Sequence, residues 1–201
     1  MTFNIALNAL FLSFLRPLRL TQKIMRYLKT ALKDVLVLVQ EPIPDNRGFF
    51  ARAFSQDELQ KEGLDFPIRQ INRSYNRLKG TLRGLHFQNP PHAEDKIIQV
   101  TKGSIIDVAL DIRPGSPTFG QHHAEILTAA NGRALLIPKG CAHGFQTLED
   151  DTELYYLVSA YYAPGADSGI RWDNPGLNIA WPTQPPTVIS DKDKAWPDVA
   201  L

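Results

Sequence analysis

The chain alternates short apolar runs with turn residues, a pattern that is typical of strands rather than of long helices. A β-branched run extends from Val35 to Val39 and ends at a proline-containing stretch. Further runs follow at roughly 8–12-residue spacing, and they cover residues 96–100, 104–112, 122–127, 134–137, 144–148 and 154–160. Asn131 and Gly132 separate two of these runs, and both residues tolerate the positive φ of a tight turn. The pattern predicts a β-sandwich or a jelly roll.

Helical signals are few and short. Ser55 precedes two acidic residues and predicts the N-cap of one short helix that ends near Lys61. Ser190 is placed in the same way to cap a short final helix. No helical period is long enough for a βαβ unit, so we do not expect a doubly wound fold. We therefore expect an all-β domain with a few short helices.

The 201 residues are most simply one domain, but the first two dozen differ from the rest. The stretch from Phe3 to Leu15 is mostly apolar, yet it is shorter than the about 20 residues of a membrane helix. Basic residues follow this stretch instead of preceding it, unlike a secretory signal. The alternative for this apolar stretch is a helix that lies in the plane of a membrane surface. We expect residues 1–24 to be a dispensable or misassigned extension, and residues 25–201 to form the single functional domain that starts near Met25.

Charge and cysteine content limit the partners and the compartment. The net charge of +1 indicates no nucleic-acid partner and no membrane partner. An anionic substrate would have to be bound by a few individually placed Arg and Lys side chains. The single cysteine, Cys141, excludes an internal disulfide framework and fits a reducing cytoplasm. We interpret Cys141 as a small packed residue, because only its spacing from His143 suggests thiol chemistry.

One short stretch carries the residue types that carbon-acid chemistry needs. Proton removal beside a carbonyl requires a base of near-neutral pKa and a positive group where enolate charge develops. His86 suits the first role, and Arg83 and Lys96 suit the second. On a regular strand Arg83 and His86 would face opposite sides, but Gly84 permits a bend that brings them into one cavity. The alternative is a surface ion pair for Arg83, a packed imidazole for His86 and a solvated Lys96.

The five histidines raise the question of a metal site. Metal-binding jelly rolls offer two histidines one residue apart and a nearby carboxylate on one strand face. The positions at that spacing from His86 are Gly84 and Gln88. His122 and His123 are adjacent, so on a strand they face opposite sides. We therefore predict no catalytic metal.

A second histidine and two tyrosines are further candidates. His143 lies between Ala142 and Gly144, which are small enough to leave room for a ligand, although a packed imidazole is equally compatible with them. Tyr155 and Tyr156 should face opposite sides of a strand, one in the core and the other on a cavity wall. A tyrosine over a substrate can act as a general acid. The pattern does not say which of the two does so.

Taken together, these segments resemble the deoxysugar-nucleotide 3,5-epimerase family, best known for dTDP-4-dehydrorhamnose 3,5-epimerase. The resemblance extends from Tyr27 to Asp198, and its start supports a domain that begins near Met25. Any one motif is modest evidence, but their order and spacing are specific. The motifs are Arg47-Gly48-Phe49-Phe50, Arg83-Gly84-Leu85-His86-Phe87-Gln88, Asp107 to Arg113, Ser116 to Gly120, Ile137 to Phe145, Tyr161 to Pro164 and Gly169 to Asp173.

The resemblance implies a cupin-type jelly roll that works without a metal or another cofactor. It implies a homodimer in which N-terminal strands are exchanged, and a nucleotide-diphosphate sugar as the substrate. The implied activity is epimerisation at C3 and C5 of a nucleotide-linked 4-keto-6-deoxyhexose through an enolate. The resemblance places that reaction in the biosynthesis of dTDP-rhamnose for cell-wall polysaccharide.

The resemblance also implies roles for individual residues. The base falls on His86, and the carboxylate that orients it falls on Asp193. The acid falls on Tyr156, and the lysine near the ketone oxygen falls on Lys96. The substrate-binding positions fall on Arg83, His143, Arg47, Gln70 and Asn72. An orienting carboxylate would fix the imidazole and stabilise its protonated form.

Two departures from the family pattern leave alternatives open. Arg52 stands where the best-known members have a glutamate, so the nucleotide base is not fixed. The stretch from Ser74 to Lys79 is one residue longer than the usual loop, which weakens the assignments of Gln70 and Asn72. The alternatives are a single-position epimerase or ketoisomerase on a related nucleotide sugar, and a non-catalytic cupin that binds nucleotide sugars. An acid retained together with a base argues against the binding module, which would need neither.

Overall fold

In a computed structural model of the chain, residues 25–199 are described, and the extension expected over residues 1–24 lies outside them. Two helices, α1 (Gln56–Lys61) and α2 (Asp191–Lys194), accompany thirteen strands. The strands are β1 (Met25–Lys29), β2 (Leu36–Gln40), β3 (Ile43–Asp45), β4 (Gly48–Phe50), β5 (Gln70–Asn76), β6 (Leu82–Gln88), β7 (Lys96–Lys102), β8 (Ser104–Asp111), β9 (His122–Thr128), β10 (Arg133–Ile137), β11 (Cys141–Thr147), β12 (Thr152–Val158) and β13 (Asp167–Gly169). None of the helices in this part of the chain is long and apolar enough to cross a membrane.

The strands form two large antiparallel sheets and a hairpin. The six-stranded sheet has the order β1-β2-β10-β7-β12-β5, and the five-stranded sheet has the order β13-β6-β11-β8-β9. Strands β3 and β4 pair only with each other. Two stacked antiparallel sheets with non-sequential neighbours confirm the predicted all-β jelly roll.

The space between the sheets is filled by the inward-facing residues of each strand, as the alternation of side chains requires. The six-stranded sheet contributes Val37, Ile98, Leu135 and Leu154 among others. The five-stranded sheet contributes Ile105, Ala109, Leu127 and Phe145 among others. Burial of this apolar surface, at about 25 cal/mol per Å², holds the two sheets together.

The outer faces of both sheets are partly covered by the rest of the chain. Leu59 of α1 and Phe66 pack on the outer face of the six-stranded sheet. Leu177, Ile179 and Trp181 pack on the outer face of the five-stranded sheet. This C-terminal stretch leads the chain back across the sheet to α2, which contacts β6. The far end of the sequence is thereby placed beside the strand that carries His86.

The capping and turn predictions are confirmed. The Ser55 side chain accepts a hydrogen bond from the backbone N–H of Glu58 at the start of α1. The Ser190 side chain does the same for the N–H of Asp193 at the start of α2. The turn between β9 and β10 contains the predicted Asn131 and Gly132.

The bend predicted at Gly84 is also present. Gly84 has φ +118°, and a Cβ there would lie 2.5 Å from the Gly144 Cα and 2.7 Å from the His143 carbonyl oxygen. The pairing register of β6 with β11 shifts at this point. Arg83 and His86 consequently both line the same cavity despite their odd spacing. Only glycine allows this close approach of the two strands.

We expect Gly84→Ala to destabilise the fold by at least about 3 kcal/mol, because a strained φ and a backbone clash add together. Gly115 provides the matched control, since it also has positive φ (+78°) but a Cβ added there would have nothing within 4 Å. Gly115→Ala should cost only about 1 kcal/mol. Urea unfolding of both variants measures the difference, and equal losses would show that the contact with β11 is not the constraint.

Candidate active site

A cavity of about 660 Å³ lies between the two sheets and contains all but one of the predicted site residues. The five-stranded sheet contributes Arg83, His86 and His143, and α2 contributes Asp193. The six-stranded sheet contributes Gln70, Asn72, Lys96 and Tyr156. Residues that lie as far apart in sequence as Gln70 and Asp193 therefore face one cavity.

His86 is paired with a buried carboxylate. Its Nε2 lies 2.6 Å from Asp193 Oδ1, and the other carboxylate oxygen accepts the Gly84 N–H at 3.3 Å. Burial raises the pKa of Asp193. The hydrogen bonds that the carboxylate accepts, first of all from His86, and the charge of that imidazole together lower the pKa by more than burial raises it, so it lies below the ordinary value for an aspartate. A carboxylate can only accept, so the proton of the neutral imidazole is on Nε2 and the lone pair is on Nδ1. Nδ1 is therefore the basic atom of this pair.

An indole supports the imidazole from a second side. The ring of Trp196 lies edge-on to the ring of His86, with centroids 6.2 Å apart and planes at 70°. The Lys192 Nζ lies 5.3 Å from the centroid of the same indole. Trp196 also lines the cavity, and the sequence interpretation missed it. Trp196 follows α2, which ends at Lys194, so no helical spacing in the sequence indicated that it would face the cavity.

Of the two candidates Tyr155 and Tyr156, only Tyr156 lines the cavity. The pKa of the Tyr156 hydroxyl lies above its ordinary value, mainly because the group is buried. The positive charge of Arg83 lowers the pKa by a smaller amount, and the negative charge of Glu94 raises it. The hydroxyl therefore keeps its proton at neutral pH and can donate it. The expectation that the other tyrosine would be in the core is wrong, since Tyr155 is 37% exposed. Tyr155 lies on the outer face of the six-stranded sheet, near Ile71 of the neighbouring strand β5, which is also exposed.

Lys96 is not the solvated side chain of the alternative interpretation, and Arg83, although exposed, forms no ion pair among the described residues. Lys96 is only 9% exposed and lies at the first position of β7, where its ammonium is 3.2 Å from the carboxylate of Glu94. The Arg83 Nε donates to the neutral Oδ1 of Asn76 at 2.8 Å, so its charge is not bonded to a carboxylate through this nitrogen. Both cations line the cavity and are available to an anionic ligand.

A second histidine–carboxylate pair lies beside the first. His143 is directly opposite His86 in the β6–β11 pairing, and its Nε2 is 2.7 Å from Asp107 Oδ1. Asp107 is fully buried, and its second oxygen has no hydrogen-bond partner among the described residues. The sequence interpretation did not include Asp107 as a site residue. A lone carboxylate in the apolar run from Ile105 to Leu110 was the available signal, since a buried charge requires a partner.

Arg47 is the predicted site residue that does not line this cavity. It lies at the turn of the β3–β4 hairpin, with its side chain 85% exposed and bonded to Asp45. Two neighbouring aromatic residues of the hairpin, Phe49 and Phe50, are 68% and 59% exposed. Arg52, the departure from the family pattern, lies 3.7 Å from Glu58. A single chain therefore does not bring Arg47 to the other site residues.

Thiol chemistry is not supported. Cys141 is buried between the sheets, and burial raises the pKa of its thiol to about 12. The interpretation of Cys141 as a packed residue is confirmed. Over residues 25–199, no group of three or more His, Cys, Asp or Glu side chains is arranged to hold a metal ion.

Comparison with known proteins adds an independent finding. The sequence profile of the dTDP-4-dehydrorhamnose 3,5-epimerase family matches residues 29–200. The dTDP-4-dehydrorhamnose 3,5-epimerase of Escherichia coli K12 is 40% identical over 171 residues, which are 85% of this chain and 92% of the relative.

Two solved structures have the same architecture. The dTDP-4-dehydrorhamnose 3,5-epimerase of Bacillus anthracis, with TDP and PPi bound, matches with a TM-score of 0.84 at 43% identity, over 87% of this chain and 99% of that one. The dTDP-6-deoxy-D-glucose-3,5-epimerase of Legionella pneumophila, in complex with dTDP-4-keto-L-rhamnose, matches with a TM-score of 0.81 at 36% identity, over 86% of this chain and 91% of that one.

Proposed function

This chain belongs to the dTDP-4-dehydrorhamnose 3,5-epimerase family, and we propose that it inverts C3 and C5 of a nucleotide-linked 4-keto-6-deoxyhexose. The reaction converts dTDP-4-dehydro-6-deoxyglucose to dTDP-4-dehydrorhamnose. One observation carries the proposal: a base and an acid face the same cavity from opposite sheets. His86 lies on the five-stranded sheet, and Tyr156 lies on the six-stranded sheet.

The chemistry follows from that placement. The Nδ1 of neutral His86 removes the proton from C5 or C3, and the electron pair of the C–H bond forms an enolate whose charge lies on O4. The hydroxyl of Tyr156 then gives a proton to the same carbon from the other face of the ring, which inverts it. The imidazolium loses its proton to water and the phenolate regains one, so the enzyme returns to its starting state. Each positioned acid or base contributes about 10²–10⁴-fold.

Lys96 supplies the charge that the enolate needs. It begins β7, directly beside Val158 of β12, on the same inner face as Tyr156. An ammonium at O4 stabilises the developing oxyanion, and one such donor contributes about 10²–10³-fold. The buried Asp193 keeps the His86 tautomer fixed and stabilises the imidazolium, as an orienting carboxylate does in a triad.

Further cavity residues are proposed to bind the nucleotide diphosphate. Gln70 and Asn72 lie on the inner face of β5, the edge strand of its sheet. Arg83 and His143 offer donors on the facing sheet. The Bacillus anthracis structure contains bound TDP, which supports a nucleotide as part of the ligand. Arg52 stands where the best-known members have a glutamate, so the proposal leaves the preferred base open.

We propose that the chain works as a homodimer in the cytoplasm. The β3–β4 hairpin presents Phe49 and Phe50 to solvent, and a second copy that covers them would bury this apolar surface. The same contact would carry Arg47 into the partner's cavity, where its charge could meet a phosphate. The single buried cysteine supports a reducing compartment.

Isotope exchange in heavy water tests the activity. With dTDP-4-dehydro-6-deoxyglucose, the wild-type protein should place deuterium at both C3 and C5, as read by NMR. His86→Ala should lower both exchange rates by about 10²–10⁴-fold, because the base is lost. His92→Ala is the matched control, since His92 is exposed outside the cavity, and it should exchange at the wild-type rate.

The outcomes separate the alternatives. Near-normal exchange by His86→Ala would show that His86 is not the base. Deuterium at one carbon of the wild-type reaction would indicate a single-position epimerase. Deuterium at neither carbon would indicate a binding module or a different nucleotide.

Light scattering after size-exclusion chromatography tests the dimer. The wild-type protein should have twice the 22.6 kDa chain mass. The double variant Phe49→Ser with Phe50→Ser should be a monomer, because the apolar contact is lost. Phe119→Ser removes another exposed aromatic side chain and should remain a dimer. A monomeric wild-type protein, or a dimeric double variant, would contradict the proposed role of the hairpin.

A further inference from the structure

Glu94 is a carboxylate in the cavity to which the proposed chemistry gives no role. It lies between β6 and β7, lines the cavity and has a side chain that is 12% exposed. One carboxylate oxygen, Oε1, is 3.2 Å from the Nζ of Lys96. An acid that faces a site for an anionic substrate opposes binding by its charge, so its presence there requires a reason.

The other carboxylate oxygen is held by a buried amide. The Gln88 Nε2 donates to Glu94 Oε2 at 3.1 Å, and the same nitrogen contacts the carbonyl oxygens of His92 at 3.1 Å and Tyr161 at 3.3 Å. The Gln88 Oε1 accepts the N–H of Ala163 at 2.8 Å. Gln88 is 5% exposed and is fixed at both ends of its amide. Glu94 is therefore held in one orientation by a group on the strand that carries the base.

A lysine ammonium needs such a partner in this position. The Lys96 ammonium is a compact charge at the end of a flexible four-carbon chain, so the side chain alone does not fix the position of Nζ. Withdrawal of a charge from water without a partner is costly. The carboxylate of Glu94 offsets that cost and selects one position for Nζ. An ammonium has three donors, so two remain for the substrate when one is bonded to Glu94.

We propose that Glu94 is a positioning residue: anchored by Gln88, it fixes the Lys96 ammonium where the enolate oxygen develops. This inference rests on the proposed epimerase function. Glu94 exchanges no proton with the substrate, and its effect on the reaction is exerted through Lys96. Gln88 thereby ties the position of the ammonium to β6, two residues after His86.

Kinetics of three variants test the role. Glu94→Ala should lower kcat by about 10²-fold, the loss expected for a catalytic group misplaced by about 1 Å. KM should change by less than about threefold, because the interaction acts on the developing charge and not on the bound substrate. Glu94→Gln should lose only about tenfold in kcat, because its single amide oxygen can replace one of the two lost bonds. Glu149→Ala removes an exposed carboxylate outside the cavity and should be unaffected.

A double-mutant cycle distinguishes positioning from general support. In a Lys96→Ala background, Glu94→Ala should cost no further kcat, since the residue through which it acts is already absent. An equal loss in both backgrounds would overturn the proposal.

Crystal structures provide a readout that does not depend on activity. In Glu94→Ala, the Lys96 Nζ should leave the position it occupies in the wild-type protein, and in Glu149→Ala it should stay. If Nζ stays in place without Glu94, the positioning role is wrong. If the wild-type protein exchanges no hydrogen with heavy water, the epimerase function is wrong, and the location of Nζ still decides whether Glu94 positions it.

Discussion

Both imidazoles at the centre of this cavity depend on a carboxylate withdrawn from solvent. Asp193 holds His86 and Asp107 holds His143, and both acids are buried. A buried charge is tolerated only when it is paired and hydrogen-bonded, so the interior of a β-sandwich fixes such groups strongly. The pairing determines which imidazole nitrogen carries the proton and which one is left to act. The orientation of both imidazoles is therefore set by buried acids.

The arrangement of the two sheets provides the second requirement. Inversion at carbon needs a base and an acid on opposite faces of the same ring, and a single sheet face cannot supply both. The residues proposed for these two roles, His86 and Tyr156, come from opposed sheets, and the apolar core between these sheets holds their separation. The close contact of Gly84 with β11 turns Arg83 and His86 to the same side. A fold of this type can thus perform epimerisation with fixed groups.

The local features of the fold were predictable from the sequence because they depend on near neighbours. The caps at Ser55 and Ser190 follow from side-chain bonds within one turn of helix. The bend at Gly84 follows from its lack of a Cβ. The order of the strands within each sheet depends on long-range pairing, and the residue pattern did not contain it.

The site was predictable only in part, and mainly through the family resemblance. The His86–Asp193 pair joins residues that are 107 positions apart, so no local pattern indicates it. Glu94 was missed because a charged residue before a strand is usually solvated, and its contact with Gln88 exists only in the folded chain.

The placement of a bound sugar tests the central claim most directly. A crystal structure with dTDP-6-deoxyglucose, whose C4 hydroxyl prevents enolate formation, should show His86 Nδ1 and Tyr156 Oη on opposite faces of the ring. Each atom should lie within about 3.5 Å of C3 or C5, with the Lys96 Nζ about 2.7–3.1 Å from O4. A ring that lies outside this cavity, or that has both groups on one face, would contradict it.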